Sequence, residues 1–303
     1  MDGTVREGDF LSRVAIIGPG AIGGTVAAWL ASVGHEVQLC ARTPFERLHL
    51  THPGGVIDTA IPVRTDPADA SPVDIVIAAT KAYDCDAAKR WLPRLLDGRT
   101  ILAVFQNGVE HRNRFAGVIS NARLAPAVVD IPAEREAPGV VVQRRNGTIT
   151  LADDRSGRAV AGLFDDTPIE TALTGDLLTV AWRKLALNCA GIVNAVVMKP
   201  AAIAHDPDAA RAMRLLVAEC VVVGRAEGAD LPLTLPDDIV NHYRNAAPDS
   251  INSLHADRLS GRPMEIDARN GVIVRLGCAH NIATPANELA VALLNTAAQG
   301  RFL

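Results

Sequence analysis

Residues 13–24 read Arg-Val-Ala-Ile-Ile-Gly-Pro-Gly-Ala-Ile-Gly-Gly and carry the most informative pattern in the chain. The apolar run Val14–Ile17 predicts a strand, glycines follow it at positions 18, 20 and 23, and a helical pattern begins at Ala21. In this G-x-G-x-x-G spacing the first glycine permits a tight turn. The second leaves room for a phosphate, and the third lets helix and strand pack closely. The pattern predicts that a dinucleotide binds at the N-terminus of the helix.

A second strand pattern, Glu36–Cys40, follows the helix and completes a β-α-β unit. This context supports dinucleotide binding, because the glycine spacing alone also arises in ordinary tight turns that hold no ligand. The predicted cofactor contacts are the loop glycines and the first helical turn, namely Gly18, Gly20, Ala21, Ile22 and Gly23.

The end of the second strand indicates which dinucleotide binds. NAD-binding units usually place Asp or Glu there to hold the ribose 2′-hydroxyl, but this strand ends in Cys40-Ala-Arg42-Thr43, and the next acid is Glu46. An arginine can instead make charge-assisted hydrogen bonds to a 2′-phosphate. We therefore expect NADPH/NADP+ as the cofactor, with Arg42 as the phosphate contact. The alternative is that Arg42 is an ordinary solvated surface residue.

Composition narrows the class of protein. The chain has 303 residues, 49% of them hydrophobic, and a net charge of −4, which suits one large or two ordinary domains. The absence of a basic patch argues against a nucleic-acid partner. No apolar run reaches the roughly 18 to 20 residues that span a bilayer, which argues against a membrane partner. Residues 1–12 are polar and predict a loose N-terminal tail rather than a secretory signal.

Cysteine and histidine usage predicts neither disulfides nor a metal site. The five cysteines and eight histidines are scattered, with no C-x-x-C and no H-x-x-x-H. We expect a cytoplasmic enzyme.

Short apolar runs alternate with helical patterns from residue 13 to about 170, which predicts an α/β fold with a doubly wound parallel sheet. Val140–Leu151 is predicted to be an antiparallel hairpin that turns at Arg145-Asn146-Gly147. Helices are expected over Asp84–Leu96 and Asp153–Phe164. The strand candidates are Val14–Ile17, Val37–Leu39, Ile61–Val63, Ile75–Ala79, Thr100–Phe105, Ala125–Ile131, Val140–Gln143 and Thr148–Leu151.

Helical periodicity dominates after about Thr174, and prolines mark where segments begin or end. We therefore predict a loose tail over 1–12, an NADP-binding domain over 13–175 and an all-helical C-terminal domain over 176–303. The helical segments are 175–197, 206–228, 236–246, 249–260, 265–280 and 285–299.

Lys184 and Asn188 lie four residues apart on a predicted helix and so share one face. A half-buried lysine beside a carboxylate substrate could protonate a carbonyl oxygen, and the amide could orient a substrate hydroxyl. The spacing alone favours the alternative, a lysine that extends to the helix surface as Arg183 does.

Two polar segments follow predicted strands, at the edge where doubly wound sheets bind ligands. Asn107-Gly108 comes after the strand ending near Phe105, and Lys81 follows Ile75–Ala79. Asn107 could hold a nicotinamide ribose, although Asn-Gly also suits an ordinary turn. Further on, Ser253 and Asp257 share a helix face and Glu265 follows Pro263, positions for which helix capping is an equal explanation.

Taken together, these segments resemble the ketopantoate reductase (2-dehydropantoate 2-reductase) family. The likeness runs in the right order from about residue 13 to 298. It rests on Gly18-x-Gly20-Ala-Ile-Gly23, Thr80-Lys81-Ala82, Gln106-Asn107-Gly108, Lys184-x-x-x-Asn188, Ser253, Glu265-Ile-Asp267 and the run His280–Asn287. The resemblance implies a Rossmann domain followed by a helical domain, with the site in the cleft between them.

The resemblance also implies roles for single residues. Lys184 would be the catalytic acid, and Glu265 would hold the substrate hydroxyl and help to position Lys184. Asn188 and Ser253 would contact the substrate hydroxyl and carboxylate. Asn107, with Glu265, would contact both substrate and cofactor.

Lys81 would bind near the nicotinamide ribose, and Arg42 matches the family's 2′-phosphate arginine. The implied reaction is NADPH-dependent reduction of 2-dehydropantoate to (R)-pantoate, in which Lys184 donates the proton.

One departure from the family keeps other functions open. The family often carries a second asparagine eight residues after the lysine, where this chain has Ile192; its next asparagine is Asn194. One alternative is reduction of another branched or aromatic 2-oxo acid. The other is a non-enzymatic NADP(H)-sensing regulator, which would need the glycine loop but neither Lys184 nor Glu265. The apolar faces of the helical part are compatible with a homodimer.

Overall fold

The computed structural model describes residues 11–299, so residues 1–10 of the predicted tail and residues 300–303 lie outside the described residues. The described chain forms two compact units. The first contains residues up to Gln106 together with His111–Gly175, and the second contains Asn107–Glu110 together with residues from Asp176 onward. A four-residue segment that follows a first-unit strand thus belongs with the second unit.

The first unit is built from strands and short helices. The strands are β1 (Arg13–Ile17), β2 (Glu36–Cys40), β3 (Leu48–His52), β4 (Gly55–Thr59), β5 (Val63–Arg64), β6 (Ile75–Ala78), β7 (Ile101–Val104), β8 (Leu124–Asp130), β9 (Ala133–Ala137), β10 (Val140–Gln143), β11 (Thr148–Ala152) and β12 (Glu170–Thr174). The α-helices are α1 (Ala21–Ser32), α2 (Cys85–Lys89), α3 (Leu92–Leu95), α4 (His111–Arg114) and α5 (Arg155–Ala161).

The main sheet has eight strands in the order β12-β11-β8-β7-β6-β1-β2-β5. Strands β5, β2, β1, β6, β7 and β8 run parallel, and β11 joins β8 antiparallel. The central strands are continuously apolar because both of their faces are covered; Val14, Ile16 and Val76 are fully buried. The predicted α/β class, with a doubly wound sheet before a helical region, is confirmed.

A second sheet, β4-β3-β10-β9, was not predicted from the sequence. It packs against α1, whose residues Val26 and Ala27 share an apolar cluster with Leu48, Leu50 and Val141 of this sheet. Helix α1 is therefore covered on several sides, which explains why its sequence is apolar nearly all round.

The predicted hairpin over Val140–Leu151 is wrong. Strand β10 pairs antiparallel with β9 and parallel with β3, whereas β11 lies in the main sheet beside β8 and β12. The turn of the true hairpin holds Gly139, whose φ of 78° lies in the left-handed region that favours glycine. Gly147 serves packing instead, since a Cβ there would lie 2.5 Å from Ile131 Cγ1.

Two predicted helices are shorter than expected. The segment 84–96 forms α2 and α3 with a break between them, because Pro93 in the first turn of α3 has no N–H to continue the preceding helix. The segment 153–164 forms α5 and then a tighter turn over Gly162–Phe164. Asp154 caps α5 by accepting a hydrogen bond from the Gly157 N–H, so the helix begins after Asp154 rather than at Asp153.

The second unit is helical apart from its connections. Its α-helices are α6 (Leu177–Ala190), α7 (Ile192–Val197), α8 (Pro207–Ala226), α9 (Leu235–Asn245), α10 (Ser253–Leu259), α11 (Val272–Ala279) and α12 (Pro285–Gln299), and a π-helical segment, Asp267–Gly271, leads into α11. Helix α6 packs closely on α8, since a Cβ on Gly224 would lie 2.8 Å from the buried Trp182 ring.

Buried amides tie the helices of the second unit together. Asn270 donates from Nδ2 to the Cys189 carbonyl of α6 and to Asn287 Oδ1 of α12. Asn287 in turn donates to the Leu216 carbonyl and to the Glu219 carboxylate of α8. Both amides are fully buried, so each bond keeps a polar group satisfied where water is excluded.

Leu177–Val197, which spans α6 and α7, is the one stretch of residues 11–299 whose length and apolar composition would allow it to cross a membrane. Two charged residues, Arg183 and Lys184, interrupt this stretch. Of its most apolar window, 61% is buried inside the protein, as is usual for a helix at the core of a helical unit.

His111 makes the first unit sensitive to acid. Its ring is buried at the start of α4, and Nε2 lies 2.8 Å from the Gln106 carbonyl oxygen, to which a neutral ring can donate. The pKa of His111 is lowered to about 4, chiefly by burial and to a smaller extent by the charges of Arg114 and Arg112, while the Gln106 bond acts in the opposite direction.

We predict that the free energy of unfolding falls between pH 6.5 and 4, because the unfolded chain takes up a proton there that the buried ring does not. The full effect is about 3 kcal/mol. Urea unfolding of wild type and His111→Gln across this range measures it. The difference in stability between the two should shrink towards pH 4, and parallel pH profiles would contradict the prediction.

Candidate active site

The glycine loop lies where β1 ends, at the point where strand order reverses between β1 and β6. Gly18 has a φ of 86°, and its N–H donates to the Cys40 carbonyl. A Cβ on Gly18 would lie 2.8 Å from Thr80 Cγ2, at the end of β6. Both the backbone conformation and the close approach therefore require glycine at this position.

Gly20 and Gly23 have different surroundings. A Cβ on Gly20 would meet no atom within 4 Å, so the space beside it is open. A Cβ on Gly23 would lie 2.3 Å from the Gly18 carbonyl oxygen, so only glycine lets α1 approach β1 so closely. Ala21 and Ile22 form the first turn of α1, whose N–H groups have no partner within the helix and suit an anion.

Thr80 and Lys81 follow β6 at the same edge of the sheet. Gln106, which follows β7, donates from Nε2 to Thr80 Oγ1 at 2.9 Å and so fixes this neighbouring strand end. Lys81 is half-buried and leads into a short turn over Ala82–Asp84. The structure thus places Lys81 at the carboxyl edge that carries the glycine loop.

Arg42 lies just beyond β2 with 84% of its side chain exposed. Its Nη2 is 3.4 Å from Asp84 Oδ2, an exposed ion pair that contributes little stability. The guanidinium is thus accessible beside the second strand, as either a phosphate contact or a solvated arginine would be.

In the second unit, α6 carries Lys184 and Asn188 one turn apart, as predicted. Asn188 is buried, with 9% of its surface exposed, and Lys184 is half-buried. A half-buried lysine is partly shielded from water without bearing the full cost of burying a charge.

Glu265 lies just before Ile266 and the π-helical segment Asp267–Gly271, and only 5% of its surface is exposed. Asn107 donates from Nδ2 to Glu265 Oε2 at 3.0 Å, although the two residues are 158 positions apart. Nearby, Arg275 forms ion pairs with Glu110 and Asp267. The Asn107–Glu265 hydrogen bond and the Arg275–Glu110 ion pair attach the segment 107–110 to the second unit. Asp267, which pairs with Arg275, is a surface residue.

Asn188 and Ser253 are brought together by Arg269, a residue that the sequence analysis did not single out. Arg269 Nη2 donates to Asn188 Oδ1 at 3.1 Å and to Ser253 Oγ at 3.3 Å. Ser253 is exposed at the start of α10, whereas Arg269 is buried. The one available signal was an arginine inside a largely apolar helical pattern, Ala268 to Val274, in which Asn270 is the other polar residue.

Burial lowers the pKa of the Arg269 guanidinium, while Tyr243, Glu265 and Asp257 act in the opposite direction. Burial also raises the pKa of Tyr243 to about 12, and its hydroxyl donates to the Leu187 carbonyl. Asp257 forms an ion pair with Arg262, 3.0 Å apart, so its position on α10 has a structural explanation.

Ile192 and Asn194 have structural positions in α7. Ile192 is fully buried in the apolar core of the second unit. Asn194 donates from Nδ2 to the carbonyls of Lys199 and Pro200, which closes the turn after the helix.

The predicted residues therefore form two groups. The first unit carries the cofactor candidates Gly18, Gly20, Ala21, Ile22, Gly23, Arg42 and Lys81. The second carries Asn107, Lys184, Asn188, Ser253 and Glu265. Hydrogen bonds join Asn107 to Glu265 and, through Arg269, Asn188 to Ser253.

Comparison with known proteins gives matches over almost the whole chain. Residues 14–155 match the family model described as ketopantoate reductase PanE/ApbA, and residues 176–298 match its C-terminal counterpart. A 2-dehydropantoate 2-reductase from Caulobacter vibrioides is 58% identical over 289 residues, which cover 95% of this chain and 100% of that protein.

Solved structures agree with these matches. A PanE/ApbA family ketopantoate reductase from Ralstonia eutropha JMP134 has a TM-score of 0.88 at 29% identity, covering 95% of this chain and 98% of that one. A dimeric ketopantoate reductase from Staphylococcus aureus has a TM-score of 0.85 at 27% identity, covering 95% of this chain and 99% of that one.

The glycine loop offers a matched pair of variants. Gly20→Ala adds a methyl group in open space, so we expect normal stability but binding of the nicotinamide dinucleotide weakened about tenfold or more, because a phosphate and the methyl group would compete for the same place. Gly23→Ala should destabilise the fold by about 1–3 kcal/mol, because its Cβ meets a backbone oxygen. Thermal unfolding and NADPH fluorescence titration separate the two effects. Equal loss of stability in both variants would contradict this assignment.

Proposed function

Because this chain belongs to the ketopantoate reductase family, we propose that it reduces 2-dehydropantoate to (R)-pantoate with NADPH. The family is one of nicotinamide-dependent oxidoreductases that act on a CH–OH group. The observation that carries the proposal is that one unit contains Lys184, Asn188, Ser253 and Glu265, residues of the types that binding and protonating a 2-oxo acid requires, and that Arg269 joins Asn188 to Ser253.

The first unit fits a dinucleotide. The open space beside Gly20 and the N–H groups of the first turn of α1 form a cradle that a side chain would fill. When bound, the reduced nicotinamide supplies the hydride that adds to the carbonyl carbon of the substrate. In this proposal Lys81, which follows β6, contacts the ribose beside the nicotinamide.

Lys184 is the proton donor in this proposal. As the carbonyl carbon is reduced, negative charge develops on its oxygen, and an ammonium group stabilises that charge before transferring a proton to it. Glu265 accepts a hydrogen bond from the substrate hydroxyl and helps to position the lysine ammonium. Its bond with Asn107 holds the carboxylate in a defined orientation, which supports the role of both residues.

Asn188 and Ser253 contact the hydroxyl and carboxylate of the substrate. This assignment is supported by Arg269, whose guanidinium donates hydrogen bonds to both residues although they lie on different helices. Ser253 is exposed, so a small molecule has access to this pair.

NADPH is proposed over NADH because of Arg42. Strand β2 does not end in the Asp or Glu that holds a ribose 2′-hydroxyl in NAD-binding units, and the guanidinium of Arg42, exposed beside Asp84, is available to a 2′-phosphate. We also propose a homodimer, which the dimeric Staphylococcus aureus relative supports, and a cytoplasmic location. A small molecule, rather than a nucleic acid or a membrane, is the proposed partner.

The reaction is tested by NADPH oxidation across about ten 2-oxo acids, including 2-dehydropantoate. We expect 2-dehydropantoate to have the highest kcat/KM. If other branched or aromatic 2-oxo acids are reduced equally well, the chain is a 2-oxo acid reductase, but 2-dehydropantoate is rejected as its specific substrate. If no 2-oxo acid is reduced although NADPH binds, the chain is a cofactor-binding regulator instead.

The role of Lys184 is tested with Lys184→Ala on the preferred substrate. We expect kcat to fall about 10² to 10⁴-fold, because no group replaces the proton donor. Arg183→Ala, which removes the adjacent exposed cation of α6, is the matched control and should leave kcat within about threefold. A similar small effect in both variants would remove the assignment.

Cofactor preference is tested with Arg42→Asp. Loss of the charge-assisted bonds and repulsion of the phosphate should raise the KM for NADPH about tenfold or more, while the KM for NADH changes little. NADH thus serves as the internal reference in each assay. Equal changes for both cofactors would show that Arg42 makes no contact with the 2′-phosphate.

A further inference from the structure

Arg269 is a buried cation whose hydrogen bonds go to neutral groups. Only 3% of its surface is exposed, and Nη2 donates to Asn188 Oδ1 and Ser253 Oγ. Its Nη1 is buried and has no hydrogen-bond partner within the described part of the chain. Buried cations are usually paired with an acid, and a guanidinium can bind a carboxylate through two parallel hydrogen bonds, so this one has unused capacity for an anion.

The π-helical segment Asp267–Gly271 places this arginine against α6. Arg269 reaches Asn188, and the next residue, Asn270, reaches the carbonyl of Cys189, the residue after Asn188. The side chains of two consecutive residues thus donate hydrogen bonds to two consecutive residues of α6. These bonds fix the position of the Arg269 guanidinium. Insertions of this kind in helices often occur at functional sites.

The bonds from Arg269 determine what Asn188 and Ser253 can still do. Asn188 uses its amide oxygen as the acceptor, so its NH₂ group is oriented as the remaining donor. Ser253 Oγ also accepts from Arg269, which leaves the hydroxyl hydrogen to donate elsewhere. The arginine therefore makes donors of both groups, and a pair of donors beside a positive charge favours an anion.

Building on the proposed function, we propose that Arg269 is a positioning and specificity residue that makes the Asn188–Ser253 pair a binding site for the carboxylate of a 2-oxo acid. The guanidinium orients the two donors and supplies the positive charge that the carboxylate neutralises. The chain thereby selects ionised 2-oxo acids over uncharged 2-oxo amides or esters of the same shape.

The test compares Arg269→Met, which keeps a long apolar side chain but removes the charge, with Arg214→Met. Arg214 is ion-paired with Asp237 at the surface of the same unit and serves as the matched control. With NADP+ bound, the dissociation constants of pantoate and of its uncharged amide, pantoamide, are measured by calorimetry. The KM and kcat for 2-dehydropantoate are measured in parallel.

We expect Arg269→Met to weaken pantoate binding about 100-fold, to change pantoamide binding less than about threefold, and to raise KM much more than it lowers kcat. Arg214→Met should change none of these values. Equal weakening of both ligands would show that Arg269 has only a structural role, and unchanged pantoate binding would show that its charge is not used. Both results overturn the proposal.

A second variant keeps the proposal testable if Arg269→Met does not fold. Asn188→Asp places a carboxylate beside the guanidinium, so the Tm should not fall below that of wild type, while pantoate binding is lost and pantoamide still binds. Pantoate binding at the wild-type level in this variant would overturn the proposal.

The two proposals can fail separately. Wild type that binds pantoate in an Arg269-dependent way but reduces no 2-oxo acid would refute the proposed function alone. Wild type that reduces 2-dehydropantoate with a KM insensitive to Arg269→Met would refute the carboxylate site alone.

Discussion

The carbonyl oxygen of Gly18 occupies the place where a side chain of residue 23 would stand, 2.3 Å from the position of a Cβ. Helix α1 can lie against β1 only because that side chain is missing. The same helix then supports the second sheet, where a Cβ on Gly24 would lie 2.8 Å from Val141 and where Trp29 donates to Gln143. One close approach thus determines where the helix N-terminus, the open space beside Gly20 and the second sheet lie.

The second unit depends on polar groups placed inside an apolar core. Asn270 and Asn287 join α6, α8 and α12 through buried amides, and Arg269 joins α6 to α10. Each would be costly without its partners, so these helices are held in one arrangement rather than in several of similar apolar packing. That rigidity matters for the proposed reaction, because the proton donor that we propose on α6 acts only when the substrate is held at a defined distance from it.

Local patterns predicted much of the fold and part of the candidate site. The glycine spacing, the alternation of strands and helices, and the one-turn separation of Lys184 and Asn188 all follow from residues close together in the chain. The hairpin predicted at residues 140–151 failed because β10 and β11, although adjacent in the chain, lie in different sheets: β10 pairs with β9 and the distant β3, and β11 pairs with β8 and β12. Arg269 was missed because its partners Asn188 and Ser253 lie 81 and 16 residues away.

The sequence by itself determined the class of fold, the loop suited to a dinucleotide and the family, because these depend on short-range spacing and on the order of motifs. Only the tertiary structure decided that Asn107 donates to Glu265 and that a buried guanidinium bridges Asn188 and Ser253. The physical reason is that hydrogen bonds and burial act over a few ångströms in space whatever the separation along the chain. A polar side chain therefore acquires its role only when folding brings its partners within reach.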